Sequence, residues 1–359
     1  MVACQPTRKF FAIMDKQHIN VIDLFCGCGG FSLGFERAGF DVLLGIDVWK
    51  DALATFNRNH KNSITLQADL STLAPESTVP LLKGKTVDVI IGGPPCQGFS
   101  VAGKRIVDDI RNKLYKNFVH FVDFFKPEAF VMENVPNILS IGEGIVRESI
   151  LADFQGLGYT VEYKILTASD YGVPQNRRRA IFVGFRNATH FEFPKAFTSA
   201  KITAKEALSD LPEESISDGS KYPLPPASEY QRLMRANSKV LNNHQATIHN
   251  QKTIDIISLV PDGGNYRDLP PELQGTRKVH IAWTRLNSKK PSFTIDTGHR
   301  HHFHYEYNRI PTARESARIQ SFPDDFYFTC SKTSQLKQIG NAVPPLMGEA
   351  IAKSLLEQL

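Results

Sequence analysis

Asn20-Val21-Ile22-Asp23-Leu24-Phe25-Cys26-Gly27-Cys28-Gly29-Gly30-Phe31 is the stretch that decides the fold. Its first part is a short apolar run typical of a buried strand, and the glycines that follow open a tight turn before an amphipathic stretch. Glycines at such a turn let the backbone approach a ligand closely. Strand, glycine-rich turn and helix start together predict the first βα unit of a larger sheet.

The same alternation of apolar runs and amphipathic stretches continues through the first half of the chain. The further predicted strands are Val42 to Ile46, Ile64 to Ala68, Val87 to Ile91, Ala129 to Met132, Val161 to Leu166 and Ala180 to Phe185. This pattern predicts an α/β fold with a doubly wound, mainly parallel sheet. Polar residues follow several strands directly, and they should meet at the carboxyl edge of the sheet, where such folds bind ligands. These residues are Asp47, Asp69, Cys96 and Glu133.

The segment Gly92-Gly93-Pro94-Pro95-Cys96-Gln97-Gly98-Phe99-Ser100 places a thiol on a stiff turn after a predicted strand. Two prolines fix φ, so Cys96 is expected to be held in place. Such a mounting suits a nucleophile, although a free cysteine in a tight turn is often only a small buried hydrophobe. The segment alone leaves both interpretations open.

Composition limits the class of protein. With 359 residues, 42% hydrophobic and 22% charged, the chain can bury a large core and is expected to form two domains. The five cysteines are scattered and odd in number, which argues against a disulfide framework. Cys26-Gly27-Cys28 lacks the spacing of a zinc knuckle, and no metal site is predicted. No apolar run reaches the roughly 18 residues of a membrane span, so a cytoplasmic protein is expected.

Basic residues concentrate in the second half of a chain whose net charge is +5. Clusters occur at Arg177-Arg178-Arg179, Arg277-Lys278, Lys289-Lys290 and around Arg300 and Arg309. Many such clusters are only solvated surface, but their position nominates the second half as the part that faces a polyanion. From about Phe193 to Lys290 the sequence is rich in Pro, Gly and polar residues, which predicts a separate loop-rich domain. The expected division is a tail (1–18), a catalytic and cofactor-binding domain (19–192), a recognition domain (193–305) and a returning C-terminal segment (306–359).

Charge at the predicted carboxyl edge favours one kind of cofactor. The glycine turn is not a dinucleotide fingerprint, because Ser32 stands where a third glycine is expected. Asp23 would repel a pyrophosphate but could pair with a cationic amino group. Asp47 lies near the usual offset, about 20 residues, of a ribose-hydroxyl acceptor, and Asp69 could accept from an adenine amino group. A nucleoside with a positively charged amino-acid tail and no phosphate, as in S-adenosylmethionine, fits this set better than NAD.

The chain resembles the DNA (cytosine-5)-methyltransferases of bacterial restriction-modification systems, with motifs in family order over nearly the whole chain. The matching segments are the Pro-Pro-Cys-Gln loop, 109–115, Glu133-Asn134-Val135, 175–179, 309–324 and 338–345. The resemblance implies a Rossmann-like catalytic domain that depends on S-adenosylmethionine, together with a smaller target recognition domain.

The resemblance also implies roles for individual residues. Cys96 would add to carbon 6 of a flipped-out cytosine, so that carbon 5 becomes nucleophilic and accepts the methyl group. Glu133 would donate to ring nitrogen 3, and Arg177 and Arg179, two apart on an extended segment, would hold the base and the glutamate. The site would use no metal.

The implied cofactor pocket is lined from several motifs: Asp23, Leu24, Phe25, Gly27, Gly29, Asp47, Val48, Asp69, Leu70, Pro95, Leu114, Asn341 and Ala342. The chain departs from the family pattern at four of its positions. Cys26 and Cys28 stand where small residues are usual, Asp47 stands where Glu is commoner, and Val48 replaces a larger stacking residue. The ribose and adenine contacts therefore rest on the weakest matches.

The implied substrate is a specific sequence in double-stranded DNA. The residues expected to contact it are Gln97, Ser100, Arg111, Arg277, Arg285 and Arg300, the last three as base readers because Arg commonly contacts guanine. Thr294-Ile295 matches a pair near the end of the recognition region, and the run His299 to His304 is expected at a DNA-facing loop or surface. A monomer near the bacterial nucleoid is expected, with a restriction endonuclease encoded separately as a partner.

Three other functions fit the sequence less well. A tRNA cytosine-5 methyltransferase shares the motifs, but its Cys-Phe-Thr signature is absent, since Phe328-Thr329-Cys330 has another order and place. A catalytically silent DNA-binding homologue is disfavoured by intact Cys96, Glu133 and Arg177. A NAD-dependent oxidoreductase is disfavoured by the broken glycine fingerprint.

Overall fold

The computed structural model describes residues 18–95, 113–187, 190–197, 200–275, 283–295 and 302–359. Within them, the strands are β1 Asn20–Leu24, β2 Asp41–Asp47, β3 Ile64–Gln67, β4 Val89–Gly92, β5 Ala129–Asn134, β6 Thr160–Thr167, β7 Arg178–Phe185, β8 Ser220–Lys221, β9 Val240–Leu241, β10 Thr284–Arg285 and β11 His302–Phe303. The α-helices are α1 Gly30–Ala38, α2 Lys50–Asn59, α3 Lys113–Phe125, α4 Ile145–Gly156, α5 Ala204–Leu208, α6 Glu229–Arg235, α7 Gln251–Ser258, α8 Pro271–Gln274, α9 Ala313–Ile319, α10 Lys332–Asn341 and α11 Pro345–Leu356. Short 3-10 helices span Pro75–Leu82, Pro136–Leu139, Ile141–Gly144, Ala168–Tyr171 and Tyr266–Asp268.

Strands β1 to β7 form one sheet in the order β3-β2-β1-β4-β5-β7-β6. Neighbouring strands are parallel except at β7, which runs antiparallel to both β5 and β6. This confirms the predicted doubly wound, mainly parallel sheet. Several boundaries differ by one or two residues: β4 begins at Val89, β5 continues through Asn134 and β7 begins at Arg178. Glu133 therefore lies within the end of a strand, where its backbone is fixed by pairing with Ile181.

The central strands are buried on both faces because helices cover the sheet from either side. Along β1, Val21 belongs to the core on one face and Ile22 to the core on the other. This explains why β1 is a continuous apolar run instead of an alternating one. Helix α1 packs closely on α11, since a Cβ added to Gly34 would lie 2.6 Å from the Glu349 nitrogen. The C-terminal segment thus returns to the sheet.

The region that the sequence predicted to be loop-rich holds short helices and two-stranded ribbons, and it shares a core with the C-terminal segment. Leu208, Met234 and Leu286 pack in this core with Phe322 and Ile339. Buried ion pairs reinforce the contact, because Arg318 lies 2.8 Å from Asp210 and 2.6 Å from Asp324. None of the helices in the described residues has the length and apolar character required to cross a membrane.

Candidate functional site

A cavity of about 590 Å³ lies at the carboxyl edge of the sheet. Its walls are the turns that follow β1, β2, β3, β4 and β5, the start of β7, the end of α10 and the pair Thr294-Ile295. The order of the strands reverses between β1 and β4. Such a switch point leaves a crevice between neighbouring loops, which is where open α/β sheets bind ligands.

Most of the predicted cofactor and catalytic residues that the structure describes line this one cavity. They are Asp23, Phe25, Gly27, Asp47, Val48, Asp69, Leu70, Pro95, Leu114, Glu133, Arg177, Arg179, Asn341 and Ala342. Cys96, Gln97, Ser100, Arg111, Arg277 and Arg300 lie outside the described residues.

Leu24 and Gly29, both predicted to contact the cofactor, are not among the described residues that line this cavity. The Leu24 side chain is fully buried in the core between strands and helices and does not line the cavity. Gly29 precedes α1 with φ of 93°, and a Cβ there would lie 2.1 Å from Nε2 of His60. The left-handed turn and the close packing on His60 are together sufficient to require glycine at position 29.

Gly27 forms an open cradle on the cavity wall. Its φ is 55°, and a Cβ added to it would meet nothing within 4 Å. Its N–H donates to Oδ2 of Asp47 at 2.8 Å, and Oδ1 of Asp47 accepts from the N–H of Trp49 at 2.8 Å. The glycine turn is thus fixed to the end of β2, and burial raises the pKa of the Asp47 carboxyl group.

Asp23 is a buried carboxyl group on the same wall. It is 1% exposed, and the Ser32 hydroxyl donates to its Oδ2 at 2.6 Å. Burial, with smaller contributions from the nearby acids Asp47 and Glu36, raises the pKa of Asp23 to about 8. A positively charged group bound beside Asp23 would favour its ionised form, so cation binding and release of the Asp23 proton are coupled.

The part of the cavity wall that follows β2 includes an aromatic side chain that was not predicted from the sequence. Val48 is 63% exposed, and its neighbour Trp49 also lines the cavity. The ammonium nitrogen of Lys337 lies 4.7 Å from the centre of the Trp49 ring, which holds the ring against the end of α10. Asp69 is exposed, and hydrogen bonds from Ser71 lower its pKa.

These contacts fit S-adenosylmethionine. In the part of the cavity formed after β1, β2 and β3, the ionisable carboxyl side chains among the described lining residues are Asp23, Asp47 and Asp69. Acids at those positions favour an ammonium or sulfonium and disfavour a pyrophosphate. Gly27 leaves room for the chain of the amino acid, and Phe25, Leu70 and Trp49 offer apolar surface to a nucleoside.

The opposite end of the cavity brings together residues from three strands. The Nε atom of Arg179 lies 2.6 Å from Oε1 of Glu133, and both side chains are largely buried. The other carboxylate oxygen, Oε2, faces Gly93, where an added Cβ would lie 2.9 Å away. The ends of β4, β5 and β7 thereby fix one carboxylate.

Arg177 forms hydrogen bonds with backbone carbonyl oxygens instead of with the Glu133 carboxylate. It is 2% exposed, and it donates to the carbonyl oxygen of Gly340 at 3.0 Å and to that of Ile295 at 3.5 Å. Its Nε atom is buried and has no hydrogen-bond partner among the residues that the structure describes. Burial lowers its pKa to about 9, with Arg179 adding to the effect. Arg177 therefore connects the sheet to the C-terminal segment and keeps one unused donor.

Arg285 corrects the predicted set of base readers. It is 5% exposed, so it cannot reach a base edge. Its guanidinium donates within the protein to Val260 O at 2.7 Å, Ile257 O at 2.7 Å, Asn308 Oδ1 at 2.8 Å, His304 O at 3.0 Å and Tyr307 O at 3.2 Å. The clustering of basic residues in the sequence does not indicate that this arginine is buried and organises a loop core.

The described histidines of the 299–304 run are buried, so the prediction of a surface position is wrong for them. His302 is 6% exposed and His304 fully buried. The His304 ring stacks on Tyr307 at 4.3 Å, and its Nδ1 accepts from the backbone N–H of Glu306. Among the described residues, His, Cys, Asp and Glu form no group able to hold a metal ion.

Several cavity residues were not predicted. Trp49 stands one position after Val48, and Asn134 follows Glu133, so both could have been nominated as neighbours of matched residues. Gln338 and the two thiols Cys26 and Cys28 line the cavity as well. Burial raises the pKa of Cys28 to about 12, so that thiol stays neutral. Its Sγ lies 3.7 Å from the carbonyl oxygen of Gln338.

Comparison with known proteins gives the same assignment from two directions. A family model described as C-5 cytosine-specific DNA methylase matches residues 19–357. The chain is 40% identical over 355 residues to type II methyltransferase M1.HphI of Haemophilus parahaemolyticus, covering 97% of this chain and 90% of that protein. It is 39% identical over 370 residues to type II methyltransferase M.DdeI of Desulfomicrobium norvegicum, covering 94% and 88%.

Solved structures agree with the fold. A crystal structure described as a DNA modification methyltransferase encoded within an E. coli prophage has a TM-score of 0.79 and 29% identity, covering 94% of this chain and 99% of that one. The S. pombe Dnmt2 methyltransferase has a TM-score of 0.60, covering 95% of this chain and 99% of that one, and at 17% identity it supports the fold alone. Since the family model and the curated relatives match the chain over most of its length, the chain belongs to the C-5 cytosine-specific DNA methylase family and is a DNA cytosine-5-methyltransferase.

Proposed function

We propose that the protein transfers a methyl group from S-adenosylmethionine to carbon 5 of a cytosine that is flipped out of a specific double-stranded DNA sequence. The observation that carries the proposal is the single cavity that has carboxyl groups suited to a cationic nucleoside at one end and the Glu133–Arg179 pair at the other. The cofactor would supply an electrophilic methyl group on a sulfonium. Asp23, Gly27, Asp47 and Trp49 are the residues proposed to hold it.

The chemistry assigned to the protein begins with Cys96. Its thiolate would form a bond to carbon 6 of the cytosine as the π bond between carbon 5 and carbon 6 breaks. The electron pair of that π bond would make carbon 5 a nucleophile for the methyl group. Glu133, oriented by Arg179, would donate a proton or hydrogen bond to nitrogen 3, where negative charge accumulates. Loss of the proton from carbon 5 then restores the double bond and expels the Cys96 thiolate.

Arg177 is proposed to contact the target base. Its Nε is a buried donor without a partner among the described residues, and it lines the same cavity as Glu133. A buried donor of this kind is costly to leave unsatisfied, so an acceptor on the base or on nearby phosphate would stabilise the complex. DNA contacts of Gln97, Ser100, Arg111, Arg277 and Arg300, and the predicted domain boundaries, remain part of this proposal.

The biological role follows from the relatives, which are described as type II methyltransferases. We infer that methylation by this monomeric enzyme, acting on cytoplasmic chromosomal DNA at the nucleoid, protects host DNA from a separately encoded restriction endonuclease. The endonuclease would read the same sequence as the recognition region.

Expression of the chain in a methylation-free host, followed by bisulfite sequencing of its genome, tests the main claim. Protected cytosines in one sequence context are expected, and they would also reveal the recognition sequence. Purified enzyme should form a covalent adduct with DNA that carries 5-fluorocytosine at that site, and Cys96→Ser should abolish the adduct while binding to S-adenosylhomocysteine persists. Absence of protected cytosines together with methylation of tRNA by the same preparation would refute the DNA substrate.

A further inference from the structure

Asn134 connects the two strand ends on which the proposed chemistry depends. It is the last residue of β5, follows Glu133 directly and is 5% exposed. Its Nδ2 donates to the carbonyl oxygen of Pro94 at 2.9 Å, and its Oδ1 accepts from the N–H of Val135 at 2.9 Å. Both ends of the buried amide are therefore used, as a buried polar group requires.

The Pro94–Pro95 turn has few backbone groups that can form hydrogen bonds with neighbouring strands. Proline nitrogen carries no hydrogen, so neither Pro94 nor Pro95 can donate from its backbone to a neighbouring strand. The carbonyl oxygen of Pro94 is a point where the turn can be held, and Asn134 holds it. On the other side of the same strand end, Gly93 faces Oε2 of Glu133 without room for a Cβ.

We propose that Asn134 is a positioning residue for methyl transfer, because its amide ties the turn leading to Cys96 to the strand that carries Glu133. The assignment rests on the proposed function. The Cys96 thiolate is proposed to attack carbon 6, and the Glu133 carboxyl group to donate to nitrogen 3 of the same ring. The thiol and the carboxyl group must therefore keep a fixed separation. A misplacement of about 1 Å in such an arrangement can cost roughly 100-fold in rate.

Two variants separate positioning from folding. Asn134→Asp has nearly the same shape and keeps an acceptor for the Val135 N–H, but it removes the donor to Pro94. Asn134→Ala removes both contacts. Asn137→Asp is the matched control, because Asn137 is exposed three residues further on and bonds only locally with Ser140.

The measurement is a single-turnover methylation rate with saturating cofactor and DNA, beside the rate of covalent trapping on 5-fluorocytosine DNA. Both rates should fall by about 10- to 100-fold in the Asn134 variants, whereas Kd values for S-adenosylhomocysteine and DNA stay within about twofold and the trapping still goes to completion. Asn137→Asp should behave as wild type.

Unchanged rates, or a loss of cofactor binding equal to the loss of rate, would overturn the assignment. Failure of both variants to fold would also overturn it, since Asn134 would then be structural. If the wild-type chain itself forms no adduct, both the proposed function and the assignment of Asn134 are refuted. A wild-type adduct with unaffected variants overturns this assignment alone.

Discussion

Arg179 and Glu133 form a largely buried ion pair, with Nε and Oε1 2.6 Å apart, across the antiparallel contact of β7 with β5. In this pairing Asn134 lies opposite Ala180, and Arg179 is the next residue along β7. Arg179 is therefore a diagonal neighbour of Glu133, and the strand pairing brings the side chains of Glu133 and Arg179 together. The carboxylate is therefore oriented before any substrate arrives. Preorganised charge of this kind needs little rearrangement during reaction.

Removal of either partner should slow methyl transfer more than it weakens cofactor binding. Glu133→Gln keeps the size of the side chain but removes the acid, and we expect a loss of about 10²- to 10⁴-fold in single-turnover rate. Arg179→Ala leaves the carboxylate without its charged partner, for which about 10- to 100-fold is expected. The control is Arg186→Ala, an exposed arginine beyond the other end of β7. Equal losses in rate and in Kd for S-adenosylhomocysteine would contradict the prediction.

Gly93→Ala should impair the same step through sterics. The new Cβ would lie 2.9 Å from Oε2 of Glu133, so the carboxylate must move and its contact with Arg179 must change. We expect a lower methylation rate at saturating cofactor and DNA. Gly156→Ala is the matched control, since a Cβ there meets nothing within 4 Å. A rate equal to that of the control would show that Glu133 adapts freely.

Arg285→Met should destabilise the protein without changing the DNA sequence that is methylated. The substitution leaves the oxygens of Val260, Ile257 and Asn308 without their donor in a buried loop core. A loss of about 1–3 kcal/mol in the free energy of unfolding is expected for each buried oxygen left unsatisfied, measured by urea denaturation. Arg267→Met, at an exposed arginine, is the control. A changed site in bisulfite sequencing would instead restore Arg285 as a base reader.

The fold could be predicted from the sequence because short apolar runs alternate with amphipathic stretches, a pattern typical of a parallel sheet covered by helices. Strands such as β1 are apolar on both faces, which requires helices on either side, and the glycine turn after β1 begins the first of them. The carboxyl edge then follows from topology, which is why Asp23, Asp47 and Glu133 could be placed at one site.

What the sequence could not give depends on contacts between distant segments. Trp49 lines the cavity, and its ring packs against Lys337 of the distant helix α10. The role of Arg285 depends on carbonyl oxygens of two separate loops, and an isolated basic residue looks the same in sequence whether it is buried or exposed. Charge clusters predicted a polyanion-facing half, but they could not tell an arginine that reads DNA from one that organises a loop.

Asp23 should make the stability of the ligand-free protein depend on pH. Its pKa is raised from an ordinary value of 3.8 to about 8, chiefly by burial. Between those values the folded state holds a proton that the unfolded state has released. The free energy of unfolding should therefore fall as pH rises through this window, by at most about 1.4 kcal/mol per pH unit, and level off above pH 8 or so. The Asp23→Asn variant has no ionisable group at this position, so it lacks this pH-dependent contribution to the free energy of unfolding.

Urea denaturation of wild type and Asp23→Asn at intervals from about pH 5 to pH 9 isolates the effect, because other titrating groups are common to both. The wild-type free energy should decline relative to the variant as pH rises, whereas Asp123→Asn, at an exposed acid on α3, should follow wild type. Saturating S-adenosylhomocysteine should flatten the difference, since its ammonium group favours the ionised carboxyl. Parallel curves for wild type and Asp23→Asn would mean that Asp23 is already ionised in the empty cavity, and that its burial is offset by contacts other than Ser32.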